Sequence, residues 1–247
     1  GVMKIGVFSD VHSNLEALNA CLARYEQEGV EHFIYCGDII GYGPDPEECV
    51  KKISSLNLLA CVLGNHDAVF VQPELEMLFN YDAKIALDEN KKHLSEKSIR
   101  YLTALPTVAR GEGFTAVHGT PNEPIKEYFS SCAQFRASYD KWQGKICFVG
   151  HSHLPFYIRG TQNSCVIYLC KREDATVHLS DKMRYVLNPG SVGKPRDLNP
   201  HASFSIWDTE KNTFRFIRQP YDFTLTQKKM QERKFPAFLI NSLAHGL

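Results

Sequence analysis

Five times within its first 153 residues the chain runs through a short apolar stretch and ends on a polar cluster. The clusters are Asp10-Val11-His12, Gly37-Asp38, Gly64-Asn65-His66-Asp67, His118-Gly119-Thr120 and Gly150-His151-Ser152-His153. A short apolar run bounded by turn formers reads as a buried strand, and the cluster behind it then sits at the strand's carboxyl end. In an open parallel sheet those ends lie side by side and functional groups collect there. The pattern therefore predicts one convergent site. It offers Asp10, His12, Asp38, Asn65, His118, His151 and His153 as candidate ligands, with His66 left over.

The first half of the chain alternates strand and helix. Residues 3–8 read as a strand, and a helix is expected from Ser13, whose Glu16 three positions on makes a capping-box pattern. Leu15, Leu18, Leu22 and Tyr25 keep one face of it, and Gly29 stops it. Residues 32–36 form a second predicted strand. Asp45-Pro46-Glu47-Glu48 opens the next helix, with an Asp cap, Pro in the first turn and acids at the positive end. Val50, Ile53 and Leu56 supply its buried stripe, and residues 58–63 give a third strand. Such short connections imply right-handed parallel crossovers.

From residue 72 the composition turns to helix formers and charge. Helices are expected over 73–79 and 83–105, the second stopped by Pro106, and the charged run 88–93, His93 included, reads as a solvated face. Strands return at 114–117 and 145–149, and Cys132, Phe135, Tyr139 and Trp142 between them fall at helical spacing as a core stripe. Six short strands follow, at 156–159, 165–169, 176–179, 184–187, 203–207 and 213–218, with turn residues that suggest antiparallel neighbours. A helix at about 224–233 and a short apolar tail close the chain. A parallel α/β half followed by a meander predicts an α/β (α+β) sandwich of four layers, two sheets between helices, as one domain over 1–247.

Composition narrows the function classes. Lys+Arg and Asp+Glu stand at 28 each, so no bulk charge draws the chain to nucleic acid or to a membrane surface. No apolar run approaches the roughly 20 residues of a membrane span, and the N-terminus lacks signal-peptide shape. Gly1-Val2 ahead of Met3 reads as extraneous. The eight cysteines include no C-x-x-C, and Cys21, Cys36, Cys49, Cys61 and Cys147 lie on or beside apolar faces. Reduced core thiols in a cytoplasmic protein are the expectation.

Imidazole and carboxylate together suit manganese, iron, zinc or nickel rather than calcium. Two such ions about 3.5–4 Å apart need a bridging carboxylate, terminal ligands and a shared water or hydroxide, which is the apparatus of phosphoryl hydrolysis. A His outside the coordination sphere can then serve the leaving group.

These five clusters resemble the signature of the calcineurin-like metallophosphoesterases. The likeness spans about residues 5 to 153, and Asn188-Pro189-Gly190-Ser191 resembles a loop of the family's small bacterial and archaeal members. Gly41-Tyr42-Gly43-Pro44 is similar to the subgroup related to diadenosine-polyphosphate hydrolases. The resemblance implies an αββα sandwich in which Asp10, His12 and His153 bind one ion, Asn65, His118 and His151 a second, and Asp38 bridges. His66 would be the unliganded catalytic residue, with Asp67 orienting and charging it. Arg196 is the candidate for a substrate phosphate and Tyr42 for the pocket wall.

The expected activity is hydrolysis of a phosphodiester, a nucleotide or a dinucleoside polyphosphate, dependent on two divalent ions with manganese first. A protein Ser/Thr phosphatase ranks second, since long insertions that would build a peptide groove are lacking. A scaffold like the family's retromer subunit is a third reading, opposed by the presence of His66 and a complete ligand set. The segment 73–105 exceeds what the smallest members need and is read as a cap or a homodimer surface, with a plain packing helix as the alternative.

Overall fold

Glycine and β-branched residues let the first strand, β1 (Lys4–Phe8), run at the centre of a sheet, covered on both faces. The computed structural model describes residues 3–171 and 173–247; Gly1 and Val2 lie outside the described residues. Strands β2 (His32–Tyr35) and β3 (Leu58–Cys61) lie parallel to β1 in the order β3-β2-β1, as the alternation of strand and helix requires. Beyond β1 the sheet continues antiparallel through β11 (Ala202–Asp208), β12 (Thr213–Gln219) and β9 (Ala175–His178).

The second sheet has the order β4 (Val108–Gly111), β5 (Phe114–Val117), β6 (Ile146–Phe148), β10 (Arg184–Pro189), β7 (Pro155–Gly160) and β8 (Cys165–Leu169). Here β5, β6 and β10 are parallel, and β4, β7 and β8 pair antiparallel with their neighbours. Both sheets are mixed.

Period-two alternation separates the layers. Ile5 and Val7 of β1 meet Phe148, Tyr185, Leu187, Trp207 and Phe214 between the sheets. Phe8 instead faces outward onto α1 (Leu15–Gln27) and α2 (Pro46–Ser54), against Leu18, Cys21, Tyr25, Cys49 and Ile53. On the far side Cys147 and Val186 pack with Phe135 of α5 (Cys132–Ser138) and with Trp142. These are the four layers the sequence predicts.

Local expectations are corrected in several places. Asn14, not Ser13, caps α1 by accepting from the Ala17 N–H, since the Ser13 hydroxyl is engaged elsewhere. Asp45 precedes α2 without capping it, because its carboxylate pairs with Lys229 and Arg233. The segment 73–79 is a 3₁₀ stretch, Pro73–Leu78. The expected helix 83–105 is two helices, α3 (Tyr81–Lys91) and α4 (Glu96–Thr103), because Ser95 forms a new N-cap on Ser98. Ala86 of α3 packs against Met230 of α6 (Phe223–Glu232) and Leu239, Ile240 and Leu243 of α7 (Ala237–His245), the helix formed by the apolar tail. Met77, Leu78 and Tyr81 beside it are largely exposed. Among the described residues no helix is long and apolar enough to cross a membrane.

The thiol expectation holds for six cysteines and fails for two. Cys132 and Cys165 form a disulfide tying α5 to β8, with Cα atoms 5.8 Å apart. The fold lays the start of α5 over an edge strand 33 residues further on, a proximity no local spacing reveals.

Candidate active site

All five polar clusters leave strands at the same end of the sandwich. Asp10 follows β1, Asp38 follows β2, Asn65 and His66 follow β3, His118 follows β5, and His151 and His153 follow β6. Parallel neighbours in each sheet bring their carboxyl ends together, and the two sheets meet there. The turns are tight. Asp10, His12, Ser13, Asp38, Tyr42, His151 and His153 all have φ between 47° and 74°. Non-glycine residues hold such conformations only where their surroundings over-determine them, and these cluster at one site.

The seven candidate ligands are brought together. Asp10, His12, Asp38, His118, His151 and His153 are buried, and Asn65 partly so. Two ligand sets form within 4.8 Å, Asp10 with His12 and His153 and Asp38 with His118 and His151, and His66 comes equally close to His12 and Asp38. Asp38 Oδ2 lies 3.1 Å from His118 Nε2 and 3.5 Å from His12 Nε2, so one carboxylate oxygen serves both halves. Asn65 Oδ1 lies 3.1 Å from the same His118 nitrogen.

Second contacts fix which nitrogen faces inward. Nδ1 of His12 donates to the Ile40 carbonyl (2.8 Å), Nδ1 of His118 to that of Cys36 (2.7 Å), and Nδ1 of His153 to that of Lys194 (2.7 Å). His151 is turned around, with Nε2 donating to Lys126 O at 2.9 Å. A carbonyl only accepts, so each ring presents a bare nitrogen to the centre when neutral. His12 Nε2 and His153 Nε2 then face each other at 3.0 Å, and Asp10 Oδ1 is buried without a hydrogen-bond partner 3.2 Å from His153. Crowded lone pairs around an orphaned carboxylate oxygen are what a cation resolves. The donor set fits divalent metal.

Charge is polarised accordingly. Burial opposes ionisation of Asp10, yet His153 and His118 overcome it and hold the carboxyl well below its usual range. Burial acts likewise on Asp38, and His118 and His66 again win. His118 carries the counterpart: against burial, Asp38 and Asp10 lift it to about 10. His66 goes the other way, pushed down to about 3 by burial and its His neighbours. Its ring stacks on Phe79 (4.5 Å between centroids), touches Tyr42 at 4.8 Å, and Nδ1 has no hydrogen-bond partner.

Asp67 requires a correction. Its carboxylate does not reach the His66 ring; it accepts from the backbone N–H groups of Asp38, Ile39, Ile40 and Gly64. It clamps the β2 and β3 loops together, and so places Asp38 and His66 by way of the backbone. Burial and the Asp38 charge raise its carboxyl to about 7.

Above the ligands opens a cavity of about 400 Å³. Asp38, Asn65, His66, His151 and His153 form its floor, with Tyr42, Arg196, Lys126, Tyr128, Leu75, Leu78 and Phe79 around them. Arg196 donates to the Tyr42 hydroxyl at 3.1 Å, so both expected substrate contacts share one wall.

A family model for the calcineurin-like phosphoesterase superfamily domain matches residues 3–212. The chain belongs to this superfamily. A curated relative from Methanocaldococcus jannaschii, described as uncharacterized, is 34% identical, with 98% of each chain covered. The crystal structure of a metallophosphoesterase from Sphaerobacter thermophilus superposes with a TM-score of 0.87 at 33% identity, covering 100% of both chains. A hypothetical protein of Pyrococcus horikoshii shares the fold, with a TM-score of 0.78 at 20% identity over 99% of this chain and 98% of its own.

This calcineurin-like chain is thus a metal-dependent phosphoesterase, a hydrolase. Several residues of its site escape a motif reading. Phe79 backs His66, and Tyr128 stacks on His151 with centroids 3.9 Å apart. Ser9 donates to Asp10 Oδ2, and Tyr35 donates to the Asp38 carbonyl while accepting from Val11 N–H. Ser9 and Tyr35 are signalled only by position, beside a ligand and at a strand end, and Phe79 and Tyr128 by nothing local. His93 is exposed and pairs with Glu89, away from the ligands.

Proposed function

We propose that this phosphoesterase hydrolyses a small phosphorylated substrate, a phosphodiester, a nucleotide or a dinucleoside polyphosphate, with two divalent cations, manganese first. The observation that carries the reading is Asp38 Oδ2, within 3.5 Å of a histidine nitrogen from each ligand set. Asp10, His12 and His153 would hold one cation and Asn65, His118 and His151 the other, with Asp38 shared. Bound there, the cations would activate a water and polarise the phosphoryl group.

The remaining work belongs to side chains around the cavity. Arg196 would take a phosphoryl oxygen, since a guanidinium fork matches that geometry, and the Tyr42 hydroxyl holds its direction. His66 stands on the floor with its ring neutral at rest and fixed by Phe79. From there its ring N–H would donate to the departing oxygen as negative charge develops on it. Leu75, Leu78 and Phe79 of the inserted segment line the cavity on one side. The enclosed volume suits a small ligand better than an extended peptide, which ranks protein phosphatase activity second.

The test is hydrolysis of bis-p-nitrophenyl phosphate, p-nitrophenyl phosphate, diadenosine tetraphosphate and a phosphopeptide, with manganese and with a chelator. Chelator-sensitive turnover favouring a diester or the dinucleotide is the expected result. Preference for the phosphopeptide would replace the reading, and silence despite bound metal would turn it toward a scaffold role.

A further inference from the structure

The charged run 88–93 hides one fully buried residue, Asn90. On α3 the buried positions are Ala83, Ala86, Leu87 and Asn90, the spacing of one helix face, so its amide points inward with the apolar stripe. There it meets two loops of the site. Asn90 Oδ1 accepts from the Ser13 hydroxyl at 2.7 Å and from the Gly41 N–H at 2.7 Å. Asn90 Nδ2 donates to the Gly43 carbonyl at 2.8 Å. The amide's orientation is fixed by its partners, since a backbone N–H only donates and a carbonyl only accepts.

What it holds is strained. Ser13 has φ 54°, Gly41 94° and Tyr42 59°. An isolated loop would relax from such angles, which non-glycine residues keep only where their surroundings over-determine them. Asn90 grips the residues on either side of Tyr42 and ties them to Ser13, next to the ligand His12. Tyr42 in turn lies with its ring 4.8 Å from His12 and 4.8 Å from His66, and its hydroxyl takes the Arg196 hydrogen bond.

We propose that Asn90 is a positioning residue for phosphoester hydrolysis, through which the inserted helix α3 holds Tyr42, and with it Arg196, at the substrate. The inference rests on the reading of Tyr42 and Arg196 as substrate contacts. It assigns the 73–105 segment a role in the site beyond that of a cap. Asn90 touches neither ligand set, so its removal leaves the metals in place and blurs the geometry of the substrate wall.

The experiment combines a double-mutant cycle with amide exchange. Asn90→Ala, Tyr42→Ala and the double variant are assayed on bis-p-nitrophenyl phosphate with manganese, and metal content is measured in each. Asn90→Ala should lose about ten- to a hundredfold in kcat/KM, the scale of a misplaced binding group. It should keep the parent metal content. In the Tyr42→Ala background the same change should cost less than about threefold, because residues acting as a unit are not additive.

Exchange at the Gly41 amide gives a readout independent of turnover, because among the described residues its hydrogen-bond partner is Asn90. Asn90→Ala should expose that amide while those of β1 and β2 stay protected. Asp88→Asn, at an exposed position of the same helix, should change neither readout. Asn90→Leu, close in volume and without a polar atom for the Gly41 N–H, stands in if the alanine variant does not fold. Unchanged Gly41 exchange, equal losses in both backgrounds, or exchange rising across the core strands would each overturn the proposal. A parent inactive on every phosphoester would instead sink the functional reading, and Gly41 exchange would still decide the role of Asn90.

Discussion

His12 and His153 confront each other nitrogen to nitrogen at 3.0 Å, each with its other ring nitrogen given to a backbone carbonyl. With both rings neutral, two lone pairs at this distance repel, a cost that a cation held between them would remove.

Divalent cation should accordingly stabilise the protein. Scanning calorimetry of chelated protein against protein with manganese at about 100 times its dissociation constant should show about 2.7 kcal/mol of added stability. An unchanged midpoint would contradict the ligand assignment.

Removing His66 and removing Asp38 should differ in kind. His66→Ala deletes a ring that stacks on Phe79 and shares no hydrogen bond at Nδ1, so metal content should persist. Its turnover should fall by about 10²–10⁴, the usual worth of a proton-handling group. Asp38→Ala removes the carboxylate shared by both ligand sets, and metal analysis should find the site empty. Full activity in that variant would end the two-cation reading.

Metal affinity should rise with pH. In the metal-free protein Asp38 and Asp10 outweigh burial and hold a proton on His118 up to about pH 10. A cation must displace that proton, so affinity should climb about tenfold per pH unit between 7 and 9. The same raised value means that His118 contributes to the metal-free fold fully below the unfolded value of 6.5, and progressively less as pH rises toward about 10. Calorimetric titration in buffers of differing ionisation enthalpy counts the released proton. A release of zero at pH 7 would refute the assignment.

The disulfide is testable by counting. Unfolded, non-reduced protein should titrate six thiols, namely Cys21, Cys36, Cys49, Cys61, Cys147 and Cys170. Replacing Cys132 and Cys165 together by alanine should lower stability by about 2–4 kcal/mol, as expected for a loop of this length. Eight titratable thiols in the parent would restore the original expectation.

Much of this centre was legible in one dimension. Seven ligand candidates and His66 each follow an apolar run, and a strand end is a local feature that periodicity can find. Asp67 shows the limit: its neighbour in sequence is His66, and motif logic pairs them. Its carboxylate instead answers four backbone N–H groups, three of them from a loop some 28 residues away. Asn90 shows a missed signal. Its place three and four positions beyond Leu87 and Ala86 marks a buried face, but the charges around it conceal this.

By itself the sequence determined every strand among the described residues except β4, the crossovers and the residue types at each strand end. These follow from side-chain size, polarity and turn chemistry, which act between near neighbours. Tertiary structure alone decided which ring nitrogen faces the centre, that Asp38 stands between the two ligand sets, and that Cys132 meets Cys165. It also decided that an amide on α3 holds the loop bearing Tyr42. Each of these depends on distances between segments far apart along the chain, and only the packing of two sheets and their helices sets those distances.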